Sequence, residues 1–300
     1  MSSEFYDNDK KSAITFLWQL IHRDVLLIIG LYGVLAFIIL TFFGEWIAPY
    51  PLHQTPVTPL LPSAWSDVGA IEYFFGTDNY GRDILSRLIY ATRPTFGSAL
   101  LITVMVNVIG MVMGMWAGMT RGLFSAFVNH LFDIFMAIPS LIVMIVIVVF
   151  LGPSLENAII AISLSLLPRV IHTIFRAVRD ELEKEYIIAL RLDGATAWYI
   201  LRDNIVPNIA VTIINEFTRI WSMAILEISV FGFLGLAAQE PRPEWGAMLR
   251  DMKDLYFINP SMLILPGLAI SLSILFVNLF GNGIQRIVSN WGEYANTRYS

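Results

Sequence analysis

ELEKEYIIALRLDGATAWYILRDNIVPN (residues 181–208) is a polar island, punctuated by Gly and Pro, in a chain that is otherwise mostly apolar. Long hydrophobic runs lead up to it and away from it. A short turn would join two such runs, so a charged stretch rich in helix formers needs its own reason. Residues 180–193 place Leu182, Tyr186, Ala189 and Leu190 on one helical stripe, which Ile187 broadens. Gly194 suits the left-handed turn that closes a helix. Thr196 can cap a second helix, AWYILRDNIV, predicted to stop at Pro207 because Val206, before a proline, is pushed out of the α region. The spacing predicts a helix–Gly–helix elbow with Trp198, Tyr199 and Ile200 on its second arm. Pattern alone leaves three readings open: an amphipathic hairpin on a membrane surface, a solvated connector, or a helix seated in a partner's groove by aromatic anchors.

The surroundings narrow the choice. The 300 residues are 56% hydrophobic and only 14% charged, with a mean hydropathy of +0.67. Soluble domains carry about a quarter charged residues, and a single core could not hide so much apolar surface. A bilayer is the solvent that fits. The net charge of −5 offers no basic field for nucleic acid. The absence of cysteine excludes disulfides, thiolate metal sites and cysteine nucleophiles.

Crossing the hydrocarbon takes about 20 mostly apolar residues as a helix. Six segments meet or approach that: 24–43, 97–118, 128–151, 157–177, 211–236 and 261–281. The first is read as a retained membrane helix, because it is too long for a signal-peptide core and ends in GEWIAP. Pro139, Pro168 and Pro266 are expected to kink spans rather than end them. Gly110, Gly114 and Gly118 form a small-residue ladder suited to close helix packing. The expected fold is all-α with six spans. Placing both termini inside puts eleven Lys and Arg in the cytoplasm against six outside (Arg82, Arg87, Arg93, Arg242, Arg250 and Lys253), as the positive-inside rule favours. The elbow then lies in the cytoplasm, within a loop over 178–210. The expected order is a cytoplasmic tail 1–23, a first span 24–43, an outer loop 44–96, a five-helix core 97–281 with an outer loop 237–260, and a cytoplasmic tail 282–300.

In the first outer loop, Thr77 or Asp78 can cap a helix that groups Ile84, Leu85, Leu88 and Ile89 on one face and sends Arg82, Asp83, Ser86 and Arg87 to others. This predicts an interfacial helix leading into the second span. Asp78 and Asp83 do not fit a calcium loop. Inside the spans, each ionisable residue costs about 2.5–3.5 kcal/mol at mid-helix, so it faces protein or water. Glu216 and Arg219 sit at i,i+3 and can pair, and Glu227 returns to nearly the same helix face as Glu216. This polar wall either lines a substrate path or is a structural ion pair. Asp133 and Arg169 read as structural or interfacial. The four histidines are scattered, no His-x-x-x-His pair occurs, and no metal site or catalytic nucleophile of the G-x-S-x-G type is expected.

The elbow's spacing, with Ala189 five residues before Gly194 and Pro207 thirteen after it, resembles the EAA loop of ABC importer permeases. The chain departs from that pattern at Ile188, Leu190, Asn204 and Val206. FGTDNYGRDILSRLIYATRPTFGSALL (75–101) and PEWGAML (243–249) are similar to segments of the dipeptide/oligopeptide/nickel permease subfamily. PSLIVMIVIVVFLGPS, DELEKEY and RLDGAT are similar to its Sap-type peptide branch. The resemblance implies the type I importer permease fold and an inner-membrane location. It implies a second homologous permease, two ABC ATPase subunits and a periplasmic substrate-binding protein as partners. Peptides are the implied substrate class, with cationic antimicrobial peptides, polyamines or nickel as variants. It also implies that Tyr186, Ala189, Leu190, Asp193, Gly194, Trp198 and Pro207 form the ATPase-coupling loop, while Glu216, Arg219 and Glu227 stay candidates for a translocation path on their own pattern.

No G-x-x-x-x-G-K-[ST] phosphate cradle is present; the four lysines are Lys10, Lys11, Lys184 and Lys253, and none follows a glycine. The chain is therefore not expected to be the ATPase or to bind a cofactor, and ATP with Mg would be used by partner subunits. Two other classes stay open. An ion-coupled secondary transporter would use Glu216 and Glu227 as carriers, and a membrane scaffold would transport nothing.

Overall fold

The computed structural model describes residues 24–52, 57–66, 69–120, 137–237, 241–255 and 261–299. Asp133, the expected tail 1–23 and the first part of the expected third span lie outside these residues. The described residues form helices and loops, with one isolated bridge between Thr77 and Asp83. Five helical stretches are long and apolar enough to cross a membrane: Val25–Ile47, Ile84–Met119, Leu155–Leu182, Ala210–Leu234 and Met262–Trp291. In order, the helices are α1 (Val25–Ile47), α2 (Ile84–Thr92), α3 (Ser98–Met119), α4 (Ser140–Leu151), α5 (Leu155–Leu182), α6 (Glu185–Leu192), α7 (Ala197–Tyr199), α8 (Val206–Asn208), α9 (Ala210–Leu234), α10 (Trp245–Met252) and α11 (Ser261–Tyr299).

α3 and α5 pack against each other through the glycine ladder. A methyl at Gly110 would lie 2.5 Å from Val170 Cγ1, and one at Gly118 would lie 2.8 Å from Val178 Cβ. Only hydrogen fits there. Val170, Ile174 and Val178 fill the space as part of a core that continues through Ile220, Ala224 and Ile228 of α9. α1 sits outside, packed on α11, and shows Tyr32, Phe42 and Trp46 to its surroundings. Asp24 ties the two helices: it caps Leu27 N–H at 3.0 Å and pairs with Arg286 at 2.6 Å.

The structure departs from expectation in three places. Pro139 is extended (φ −55°, ψ 127°) and is the N-cap of α4, so it begins a helix instead of kinking one; Pro168 and Pro266 do lie inside α5 and α11. α4, with 12 residues, is the second part of the expected third span, whose first part lies outside the described residues. α11 runs on to Tyr299, so the expected tail from 282 continues the helix of the last span. In the loop between α1 and α2 Asp83, not Thr77 or Asp78, caps the helix, accepting from Ser86 N–H at 2.7 Å. Asp78 instead folds the preceding turn, accepting from the N–H groups of Tyr80 (2.8 Å) and Arg82 (2.9 Å) and from Arg82 Nε (2.8 Å). Finally, Ser86 and Arg87 are buried, not turned to water: Ser86 receives Tyr50 N–H at 3.0 Å and Arg87 Nε reaches Asp78 at 3.6 Å. α2 is therefore docked on the bundle, and a π-helical turn, Arg93–Gly97, carries it directly into α3.

Beyond α9, α10 folds back against the bundle. Its N-cap Glu244 is fully buried and accepts from Gly246 N–H (2.9 Å), Ala247 N–H (2.9 Å) and the Thr95 hydroxyl (3.1 Å). The Thr95 oxygen in turn receives Trp245 N–H at 3.1 Å, and the indole of Trp245 donates to Leu88 O at 3.1 Å. Glu244 lies outside the spans, and burial, against the bonds from Gly246, Ala247 and Thr95 and the charge of Arg250, pushes its carboxyl up to about 7. α10 is thus pinned to the π-helical turn and to α2 at once.

Candidate functional site

The elbow is present, with its parts cut differently from the pattern. The predicted first helix is broken: α5 ends at Leu182, and α6 restarts at Glu185 after the extended Lys184. Gly194 closes α6 at φ +85°, with Ala195 N–H bonded to Leu190 O at 3.0 Å. Thr196 caps the second arm, accepting Tyr199 N–H at 3.2 Å. That arm does not stop at Pro207. A π-helical run, Ile200–Ile205, leads into α8, where Pro207 stands at the start of a helical turn and needs no N–H bond. The break comes at Ile209.

Ile187, fully buried, anchors α6, while Ile200 and Ile205 anchor the second arm. The rest of the elbow is turned outward. Leu192 is 84% exposed and Trp198 68%, joined by Ile188 and Tyr199. Of the sequence-predicted coupling residues, Ala189, Asp193, Gly194, Trp198 and Pro207 are on the surface, and Leu190 packs partly against the core. Tyr186 has a different task. Its hydroxyl donates to Glu181 at the end of α5 and accepts from Asn208 Nδ2 at 2.9 Å, while Lys184 Nζ holds the same Glu181 at 2.7 Å. Burial and the neighbouring Glu181 push the Tyr186 phenol up to about 12, so it stays protonated as a clasp between the two arms. Glu181, Ile187 and Asn208 were not singled out from sequence. Ile187 was merely a shoulder of the stripe, and nothing local pairs residues 181 and 208.

α9 leaves the elbow and carries the charged wall. Glu216 and Glu227 do share a face and are buried, 3% and 9% exposed. Arg219 is exposed, and no ion pair within 4 Å joins it to Glu216 among the described residues. The i,i+3 offset turns Arg219 about 60° away from Glu216, enough to move it off the buried face. The charge of Arg219 still reaches Glu216, and Arg169 of α5 is a second cation, one whose charge reaches both Glu216 and Glu227. Glu227 Oε1 accepts from the Ser140 hydroxyl at 3.0 Å, whereas Glu227 Oε2 and Glu216 Oε1 are buried without a hydrogen-bond partner. Such groups are expensive to leave unpaired in a static core.

With the helical bundle, the external elbow and the buried charges in place, comparison with known proteins decides the family. Residues 110–291 match the family described as binding-protein-dependent transport system inner membrane component. The chain belongs to this family. Among its relatives, the peptide transport system permease protein SapC of Escherichia coli O6:H1 is 47% identical over 272 residues, covering 90% of this chain and 92% of that one. The SapC of Haemophilus influenzae is 40% identical over 98% of this chain and 100% of its own. The dipeptide transport system permease protein DppC of Escherichia coli K12 is 36% identical over 89% of this chain and 90% of its own. In fold, this permease resembles a chain from the inward-facing MetNI methionine ABC transporter, with a TM-score of 0.56 at 20% identity, over 68% of this chain and 97% of that one. The permease is an all-α, multi-pass inner-membrane component, as its apolar helices require.

Proposed function

We propose that this permease is a membrane-spanning subunit of an ATP-driven importer of peptides, the substrate class named for its SapC and DppC relatives. The observation that carries the reading is the elbow: Leu192 and Trp198 stand out from a unit whose own base is anchored by Ile187, Ile200 and Ile205. Exposed large apolar side chains on a rigid helical mount are what a partner's groove binds. The partner is a separate ABC ATPase, two copies of which burn ATP with Mg, and the elbow faces the cytoplasm with both termini. The permease itself holds no nucleotide. A second homologous permease completes the pathway and a periplasmic binding protein delivers the peptide. Glu216 and Glu227, with Arg219 at the margin of the wall, line that pathway. A grip on the elbow shifts the bundle only if the ATPase holds it differently in its two nucleotide states.

The test is reconstitution of the permease with those partners in proteoliposomes and measurement of labelled-peptide uptake. Uptake that requires ATP inside supports the proposal. Uptake driven by a proton or sodium gradient without ATP overturns it.

A further inference from the structure

A cavity of about 540 Å³ opens between α4, α5 and α9, lined by Pro139, Ser140, Ser165, Pro168, Arg169 and Met223. Its charged member is Arg169. Counting from the elbow end, Arg169 stands about 20 Å up α5, between Glu216 at about 9 Å and Glu227 at about 26 Å up α9. It is therefore deep within the span, where a guanidinium is costly unless compensated. The compensation is incomplete. Arg169 Nη1 donates to Met223 Sδ at 3.2 Å, a weak acceptor, and among the described residues no carboxylate lies within 4 Å of it. Around it the Ser165 hydroxyl is buried without a partner. Ser140, on the opposite wall, spends its proton on Glu227, whose second oxygen is also unpaired.

A structural ion pair would close these groups on each other. Here Arg169, Ser165 and Ser140 line a void, and the buried Glu227 carboxylate that Ser140 bonds makes no ion pair with Arg169 among the described residues. We propose that this cavity is a substrate subsite in which Arg169, with the Ser165 hydroxyl, receives the terminal carboxylate of a peptide in transit. A guanidinium presents two parallel N–H groups that match a carboxylate, and a carboxylate displaces a thioether readily as its acceptor. The inference rests on the permease reading above and names the part of the substrate this wall handles.

The chain has no cysteine, so Ser165→Cys places a single reporter in this subunit. The transporter reconstituted with its partners is treated with anionic and cationic methanethiosulfonates of similar size, and modification of this chain is followed by mass. The anionic reagent should react roughly tenfold faster than the cationic one because of the nearby guanidinium, and adding Arg169→Gln should erase that ratio. A tripeptide with a free C-terminus should slow the labelling, and its C-terminal amide should not. Ser140→Cys, across the cavity, repeats the measurement should Ser165→Cys assemble poorly. Equal rates for the two reagents, no labelling at either position, or equal protection by the amide each overturn the subsite. ATP-driven uptake is measured in the same vesicles. Uptake without carboxylate-selective protection removes only the subsite, whereas loss of ATP dependence removes the permease reading itself.

Discussion

Gly246→Ala is the substitution for which the structure gives the firmest number. A methyl built at Gly246 in α10 would lie 1.8 Å from Ser229 O of α9, a backbone atom that cannot swing aside. Ordinary contact begins at 3.4 Å, so α10 must retreat by 3.4 − 1.8 = 1.6 Å. The bonds that tie it to the π-helical turn, from the Thr95 hydroxyl to Glu244 and from Trp245 N–H to Thr95, both 3.1 Å, cannot stretch that far and survive. Overpacking costs about 1–3 kcal/mol, and each buried group left unpaired adds about 1–3 kcal/mol. With two bonds lost, the variant should be destabilised by at least about 3 kcal/mol. Gly267, inside α11, is the control, because a methyl there meets nothing within 4 Å. Gly267→Ala should be neutral or gain up to about 1 kcal/mol of helix propensity. Thermal unfolding of both variants in the same detergent, followed by tryptophan fluorescence, makes the comparison. Equal midpoints for the two would refute the claim that α10 is locked to α9 through this contact.

Further outcomes follow from the same geometry. Glu244 is held at about 7 against an ordinary 4.5, so the folded state keeps a proton that the unfolded state has lost between those values. Stability should be greatest below pH 4.5 and fall by about 3 kcal/mol as pH rises through 7; Glu244→Gln should flatten that slope in chemical denaturation across pH 4 to 8, and parallel curves for the two proteins would contradict the assignment. Leu192→Asp, at a site 84% exposed, should leave the unfolding midpoint within about 0.5 kcal/mol of the parent while abolishing ATP-driven uptake; unchanged uptake would take Leu192 out of the contact. Ile187→Ala should do the reverse in order, costing about 2–5 kcal/mol as a buried truncation, with coupling lost because the elbow loses its anchor. A midpoint unchanged from the parent would show that Ile187 does not hold it.

Some of this was readable without coordinates and some was not. The spans were visible because bilayer-facing helices need only a run of apolar residues, and the elbow because polar helix formers have no business inside such a run. Gly194 and Thr196 behaved as local chemistry dictates. Pro207 did not, because a π-helical run before it absorbs the missing N–H, a choice made by the packing of Ile200 and Ile205. Asp83 outcompeted Asp78 as a cap because Asp78 was committed to the turn that Arg82 and Arg87 complete. Periodicity placed Glu216 and Glu227 on one face but could not say that Arg169, from a helix more than forty residues earlier, stood opposite them. Glu244 was invisible as a lock for the same reason: its partner Thr95 is 149 residues away in sequence.

Coupling to the ATPase depends on what touches Leu192 and Trp198. Cysteines placed singly at these two positions, in a chain with none of its own, can be crosslinked to the co-assembled ATPase with and without nucleotide. The account predicts crosslinks from both positions, with yields that change when ATP is bound. Absence of crosslinks to the ATPase, together with labelling of either cysteine by an impermeant thiol reagent from the periplasmic side, would contradict it.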